Sequence, residues 1–126
     1  MNSKYFVPLE TAKQLKEKGY PQLDNEWYYN LNGEIKLYQD LDEGYKEECP
    51  IMLAHYYFAA PTYHEVIDWL REQYGLIVCV GFSVARCWTW SVGRLREILT
   101  LGAYGEKEST REKALNVAIL KALEMI

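Results

Sequence analysis

Apolar side chains recur at three- and four-residue spacing in three stretches of the chain and alternate with polar ones in several others, a mixture that predicts an α+β fold. The first helical stretch runs from about 8 to 18. Pro8 suits an opening turn, Gly19 suits a left-handed stop, and Leu9, Ala12 and Leu15 form a narrow apolar stripe. Lys13, Lys16, Glu17 and Lys18 face away from that stripe, so this helix is expected to dock on the domain from outside. Next, residues 27–31 and 34–38 flank Asn32-Gly33, the signature of a β-hairpin closed by a two-residue type I′ turn. Such a turn predicts Tyr28 opposite Leu37, Asn30 opposite Ile35 and Trp27 opposite Tyr38. From Asp40 to Glu48 the periodicity lapses into an acidic loop. The apolar run 51–58 fits a buried strand or a short helix, with extended structure favoured.

The C-terminal half reads as helix, β-meander, helix. Thr62 with Glu65 makes a capping box and Gly75 closes the helix, leaving Tyr63, Val66, Ile67, Leu70 and Tyr74 on one stripe with Trp69 at its flank. His64, Asp68, Arg71 and Glu72 lie opposite. Residues 76–82 and 87–92 alternate as strands, the first with Leu76, Val78, Val80 and Phe82 on one face, the second with Trp88, Trp90 and Val92 together. A third, shorter strand is expected at 98–101, and Gly102-Ala103-Tyr104-Gly105 then reads as a turn. The last helix is expected to start at Ser109, with Glu112 completing a second capping box. Ala114, Ala118 and Ala122, beside Leu115, Ile119, Leu123 and Ile126, would let its backbone approach the sheet closely. Val117 and Leu120 fall on its charged side, as candidates for an intermolecular contact.

A length of 126 residues is enough for one core, so the chain is expected to be a single α+β domain over 1–126. Within it, 1–48 hold the N-terminal helix, hairpin and acidic loop, and 49–126 the helix–meander–helix core. A charged fraction of 25% against 49% hydrophobic argues against disorder. The net charge of -4 argues against a nucleic-acid partner or an anionic membrane surface unless a local patch overrides it. No stretch reaches the roughly 18 apolar residues of a membrane span. With no apolar leader in the first ten residues, a cytoplasmic location is expected. Cys49, Cys79 and Cys87 form no CxxC and read as reduced, buried thiols.

The familiar chemistries find no footing in this sequence. His55, His64 and the three cysteines lack the spacing of a metal site. No GxGxxG or GxxxxGK[ST] occurs, and Asp40, Asp42 and Glu43 do not follow the twelve-residue calcium pattern. Neither a cofactor nor a catalytic residue is assigned. His64 and Asp68, one helical turn apart, are the only pairing that invites an enzymatic reading, and a solvated pair on an exposed face accounts for them more simply. Trp88 and Trp90 share a strand face that serves recognition if it is open and packing if a helix covers it.

The helix, three strands, helix order of residues 61–126 resembles the double-stranded-RNA-binding domain, and 111–118 is loosely similar to that family's phosphate-binding helix start. That motif is lysine-rich where this chain has Arg111, Glu112 and Leu115, so two of its three phosphate contacts are missing. Residues 12–20, Ala60-Pro61-Thr62 with Trp69-Leu70-Arg71-Glu72, and 109–126 resemble small uncharacterised proteins of Bacteroidales phages, prophages and mobile elements. That resemblance implies a bacterial or phage origin and transfers no catalytic residue. The expected role is therefore a non-enzymatic accessory or protein-interaction protein, with a protein partner or a homodimer, using Trp88, Trp90, Val117 or Leu120. The alternative is a nucleic-acid-associated regulator with Arg86, Arg94, Arg96, Arg111 and Lys113 on phosphates. The third is an enzyme with a site near His64 and Asp68.

Overall fold

The computed structural model describes residues 3–23, 25–41, 56–83, 86–94 and 101–126. The chain divides into two compact units, Phe6–Pro61 and Met1–Tyr5 with Thr62–Ile126. The division falls beside Pro61, so the described residues 56–61 belong to the first unit.

In the first unit, helix α1 (Leu9–Glu17) starts after Pro8, whose extended backbone precedes the first turn, and ends before Gly19 at φ 93. Thr11, Ala12 and Leu15 are buried, close to the expected stripe, and Leu9 is half-buried. Strands β1 (Trp27–Tyr29), β2 (Ile35–Leu37) and β3 (Phe58–Ala59) form an antiparallel sheet in the order β2-β1-β3. Two buried tyrosines tie it down. Tyr28, fully buried, donates its hydroxyl to the Gln22 carbonyl at 2.8 Å, and Gln22 Oε1 accepts from the Ala59 amide at 3.0 Å. Tyr29 donates to the Val7 carbonyl at 2.6 Å, and burial raises its phenol above the ordinary tyrosine value. Of the run 51–58, expected to be extended, Tyr56 is helical and only the last residue, Phe58, belongs to a strand. The rest of that run, to residue 55, and Cys49 lie outside the described residues.

The hairpin is present but its turn is not the expected one. Trp27 pairs with Leu37, Tyr28 with Lys36 and Tyr29 with Ile35, one residue away from the type I′ register. The loop has three residues, closed by Asn30 N–H to the Glu34 carbonyl (3.0 Å) and Gly33 N–H to the Asn30 carbonyl (3.1 Å). Only Gly33 is left-handed, at φ 84, whereas a type I′ turn would need Asn32 there too. The physical reason is Asn30. Its side-chain oxygen accepts from the amides of Asn32 (2.9 Å) and Glu34 (3.0 Å), which pulls the start of the loop back by one residue.

The second unit contains α2 (Tyr63–Tyr74), β4 (Leu76–Phe82), β5 (Trp88–Arg94), β6 (Leu101–Glu108) and α3 (Arg111–Glu124). The capping box of α2 is complete. Thr62 Oγ1 accepts from the Glu65 amide, Glu65 Oε1 accepts from the Thr62 amide at 3.0 Å, and Gly75 ends the helix at φ 66. Tyr63, Val66 and Leu70 are buried, while Ile67 and Tyr74, expected on the same stripe, are half-buried. The strands form an antiparallel meander in the order β4-β5-β6; α3 packs across all three and α2 packs on β4 and α3.

Two boundaries differ from expectation. The third strand is β6, longer and later than 98–101, and it takes in the glycines expected to form a turn. Gly105 lies directly opposite Trp90, and a methyl group there would sit 2.6 Å from Trp90 Cε2. The missing side chain is what lets the indole lie across the strand. In α3 the cap is Thr110, whose hydroxyl accepts from the Lys113 amide at 3.1 Å. Ser109 instead accepts from Lys113 Nζ at 3.2 Å, so the expected Ser109–Glu112 box does not form. The alanine ridge is as expected. Ala114, Ala118 and Ala122 are fully buried beside Leu115, Ile119 and Leu123, each of the larger three contributing about 1.5–3 kcal/mol; Ile126 is exposed.

Candidate interaction surface

Leu76, Val78, Val80 and Phe82 on β4 stand opposite Arg94, Val92, Trp90 and Trp88 on β5, forming one continuous row on the sheet. Burial is steeply graded along it. Leu76, Val78, Trp90 and Val92 are buried, Val80 and Trp88 are half-buried, and Phe82 is 61% exposed. Trp90 is therefore core, and Trp88 sits where cover gives out, its ring edge-on to Phe82 at 5.2 Å between centroids. An aromatic pair of this kind gains about 0.5–1.5 kcal/mol from its own contact and still leaves a large apolar ring in water. The two tryptophans that share a face in sequence are thus divided by their distance along the strand.

The loop beyond this pair determines which backbone groups of β4 face outward. Ser83 N–H donates to the Cys87 carbonyl at 2.9 Å and Arg86 N–H to the Ser83 carbonyl at 3.0 Å. Counting back in steps of two, Gly81, Cys79 and Ile77 bond to β5, so Leu76, Val78, Val80 and Phe82 direct their N–H and C=O groups to the outer side. Among the described residues no strand pairs with that side. The sheet's two margins are chemically different. β6 carries Glu106, Lys107 and Glu108 and two register irregularities against β5, both devices that discourage further pairing. β4 is seven residues long, uncharged, free of proline and in unbroken register. Within its own sequence it carries no charge, proline or bulge to guard it.

Cys79 lies at the middle of β4 with an exposed side chain on the opposite face from Phe82. This corrects the expectation of a buried thiol. Apolar neighbours in sequence, Val78 and Val80, point to the other face, so they say nothing about the environment of Cys79. Cys87 is half-buried, its sulfur 3.2 Å from Ser83 Oγ.

The other candidates are dispersed. Arg86 is exposed in the β4–β5 loop, while Arg94 caps the far end of α3 by donating to the Met125 carbonyl at 3.2 Å. The length of β5 separates them by about 20 Å, so these two do not share a patch; Arg96 lies outside the described residues. Lys113 is tied to Ser109, and Arg111 borders a cleft of about 360 Å³ with Tyr5, Tyr63, His64, Glu112 and Leu115. His64 lines this cleft together with Glu112, whereas Asp68 lies outside it, exposed and bound to Arg71 at 3.3 Å, so the expected His64–Asp68 pairing is not assembled there. Val117 and Leu120 are half-buried, less available for contact than their position on the charged side of α3 suggests.

Phe82 and the β4 margin were the features that sequence reasoning passed over. Part of the signal was present, since 76–82 is the first strand of the meander, hence a margin, and holds no charged residue; the charge on the other margin appears only with the longer, later β6. Comparisons with protein-family models, with curated proteins and with solved structures each found no match.

Proposed function

We propose that this chain is a non-enzymatic protein-interaction module that takes up an extended segment of a protein partner along β4, with Phe82 and Trp88 as the apolar anchor at one end. The single observation that supports this reading is an uncharged seven-residue margin in unbroken register ending at a phenylalanine 61% exposed. Strand addition of this kind draws affinity from main-chain hydrogen bonds and selectivity from pockets for alternate side chains. The small residues of the opposite face, Thr89, Ser91 and Gly93 on β5, offer no comparable anchor.

Val80→Pro tests it. Position 80 directs its N–H outward, so proline removes a bond to the partner without removing one to β5. Peptides selected from a random display library on the wild-type protein are expected to bind Val80→Pro and Phe82→Ser at least about tenfold more weakly, with circular dichroism unchanged. Selection that yields no binder sensitive to either substitution, on protein that light scattering shows to be a single chain, would overturn the reading.

A further inference from the structure

We infer that the partner at β4 is a second copy of the chain, paired antiparallel about a two-fold axis through Cys79. The inference rests on the reading of β4 as a strand-pairing margin, and it adds the occupant and the register. A two-fold axis normal to the sheet continues both faces from one copy into the next, so residues of equal parity must meet. Placing Cys79 opposite Cys79 aligns Leu76 with Phe82 and Val78 with Val80. It is the one such register that uses all seven residues of β4. The residues brought into hydrogen-bonded pairs are those whose backbone groups point outward, and Cys79 falls in a close, non-hydrogen-bonded pair.

Three features favour this occupant over others. First, β4 is apolar along its length and carries no charge, so pairing it with itself removes no charged side chain from water. Second, pairing β4 with β6 of another copy would bring Glu106, Lys107 and Glu108 and two irregularities into the contact, and would propagate as an open fibre. Self-pairing closes after two copies. Third, the exposed ring of Phe82 gains Leu76 of the second copy as its cross-strand neighbour, twice over by symmetry. The row that runs out of cover within one chain continues into the second.

The register makes a covalent readout available. Directly opposed residues at non-hydrogen-bonded sites have Cα atoms about 4.5 Å apart, within the roughly 4.4–6.8 Å that a disulfide spans. In the full chain carrying Cys49→Ser and Cys87→Ser, diamide takes two electrons and two protons from a pair of thiols. It is expected to convert the protein to a Cys79–Cys79 disulfide dimer. Light scattering of the untreated wild-type protein should give twice the mass of one chain. Cys79→Lys places two like charges face to face on the two-fold axis and should raise the dissociation constant by about tenfold or more, with an unchanged circular dichroism spectrum. Since Cys79 is exposed, this substitution leaves the core intact. A mass of one chain from micromolar to near-millimolar concentration would overturn the inference. So would a dimer that Cys79→Lys leaves untouched and diamide does not link. If the mass stays at one chain while displayed peptides still bind in a Val80-dependent way, the second copy falls as the partner and the strand-pairing reading stands. If the peptides fail as well, both fall.

Discussion

Hairpins β1–β2 and β4–β5 close with the same pair of backbone hydrogen bonds and meet one awkward position differently. In each, the first flanking residue donates its N–H to the carbonyl four residues on, and the third loop residue donates back to the first: Asn30, Gly33 and Glu34 in one, Ser83, Arg86 and Cys87 in the other. That third residue is left-handed in both, Gly33 at φ 84 and Arg86 at φ 61. Glycine adopts the conformation freely, whereas a side chain raises its cost by about 1–2 kcal/mol. The first hairpin also has a side chain organising it, through Asn30 Oδ1, and its tip is hemmed in by Leu9, which a methyl on Gly33 would approach to 3.3 Å. In the second, the tip carries an exposed arginine and leads into the Phe82–Trp88 pair. The lesson is that the loop type follows from strand twist and backbone bonding, and that glycine eases it without defining it.

Two loop substitutions would sharpen or break this comparison, and a third, in β6, tests a glycine set by a facing ring rather than by a turn. The largest effect is expected at Gly105→Ala, where the indole of Trp90 must move or the β5–β6 pairing must part, at a cost of about 3 kcal/mol. A shift in tryptophan emission with a fall in the urea midpoint checks it, and a loss under about 1 kcal/mol would mean that Trp90 repacks easily. Gly33→Ala comes next, with about 1–2 kcal/mol lost from the left-handed conformation and the contact with Leu9. The smallest is Arg86→Gly, expected to gain about 0.5 kcal/mol, since relief of the left-handed side chain slightly exceeds the added freedom of the unfolded chain. If Arg86→Gly instead destabilises, Arg86 is retained for a contact of its side chain, and the two loops differ in more than their left-handed residue.

Elements that rest on short-range chemistry were legible before the structure. The Thr62–Glu65 box and Gly75 bound α2, and Leu76–Phe82 is a strand at the limits its alternation indicates. What escaped were choices between near-equivalent local options. Ser109 and Thr110 are both able to cap α3; Thr110 does so, and Ser109 instead accepts from the Lys113 amino group. Gly102 and Gly105 resemble a turn by composition, and only the bulk of Trp90 opposite explains glycine at 105 inside a strand. The candidate surface followed the same division. Trp88 and Trp90 were identified as a pair, but which of them is open depends on where cover over the sheet ends.

By itself, the sequence determines that three amphipathic helices and a set of alternating strands must form. It also determines that the chain after Pro61 runs helix, strands, helix, because periodicity, caps and left-handed stops act over a few residues. Tertiary structure decides the register of the first hairpin, the position of the third meander strand, the exposure of Cys79 and Phe82, and the absence of a pairing strand beside β4 among the described residues. Each of these depends on what lies across a strand or beyond the end of a covering helix. Those are contacts between residues far apart in the chain, and no local pattern contains them.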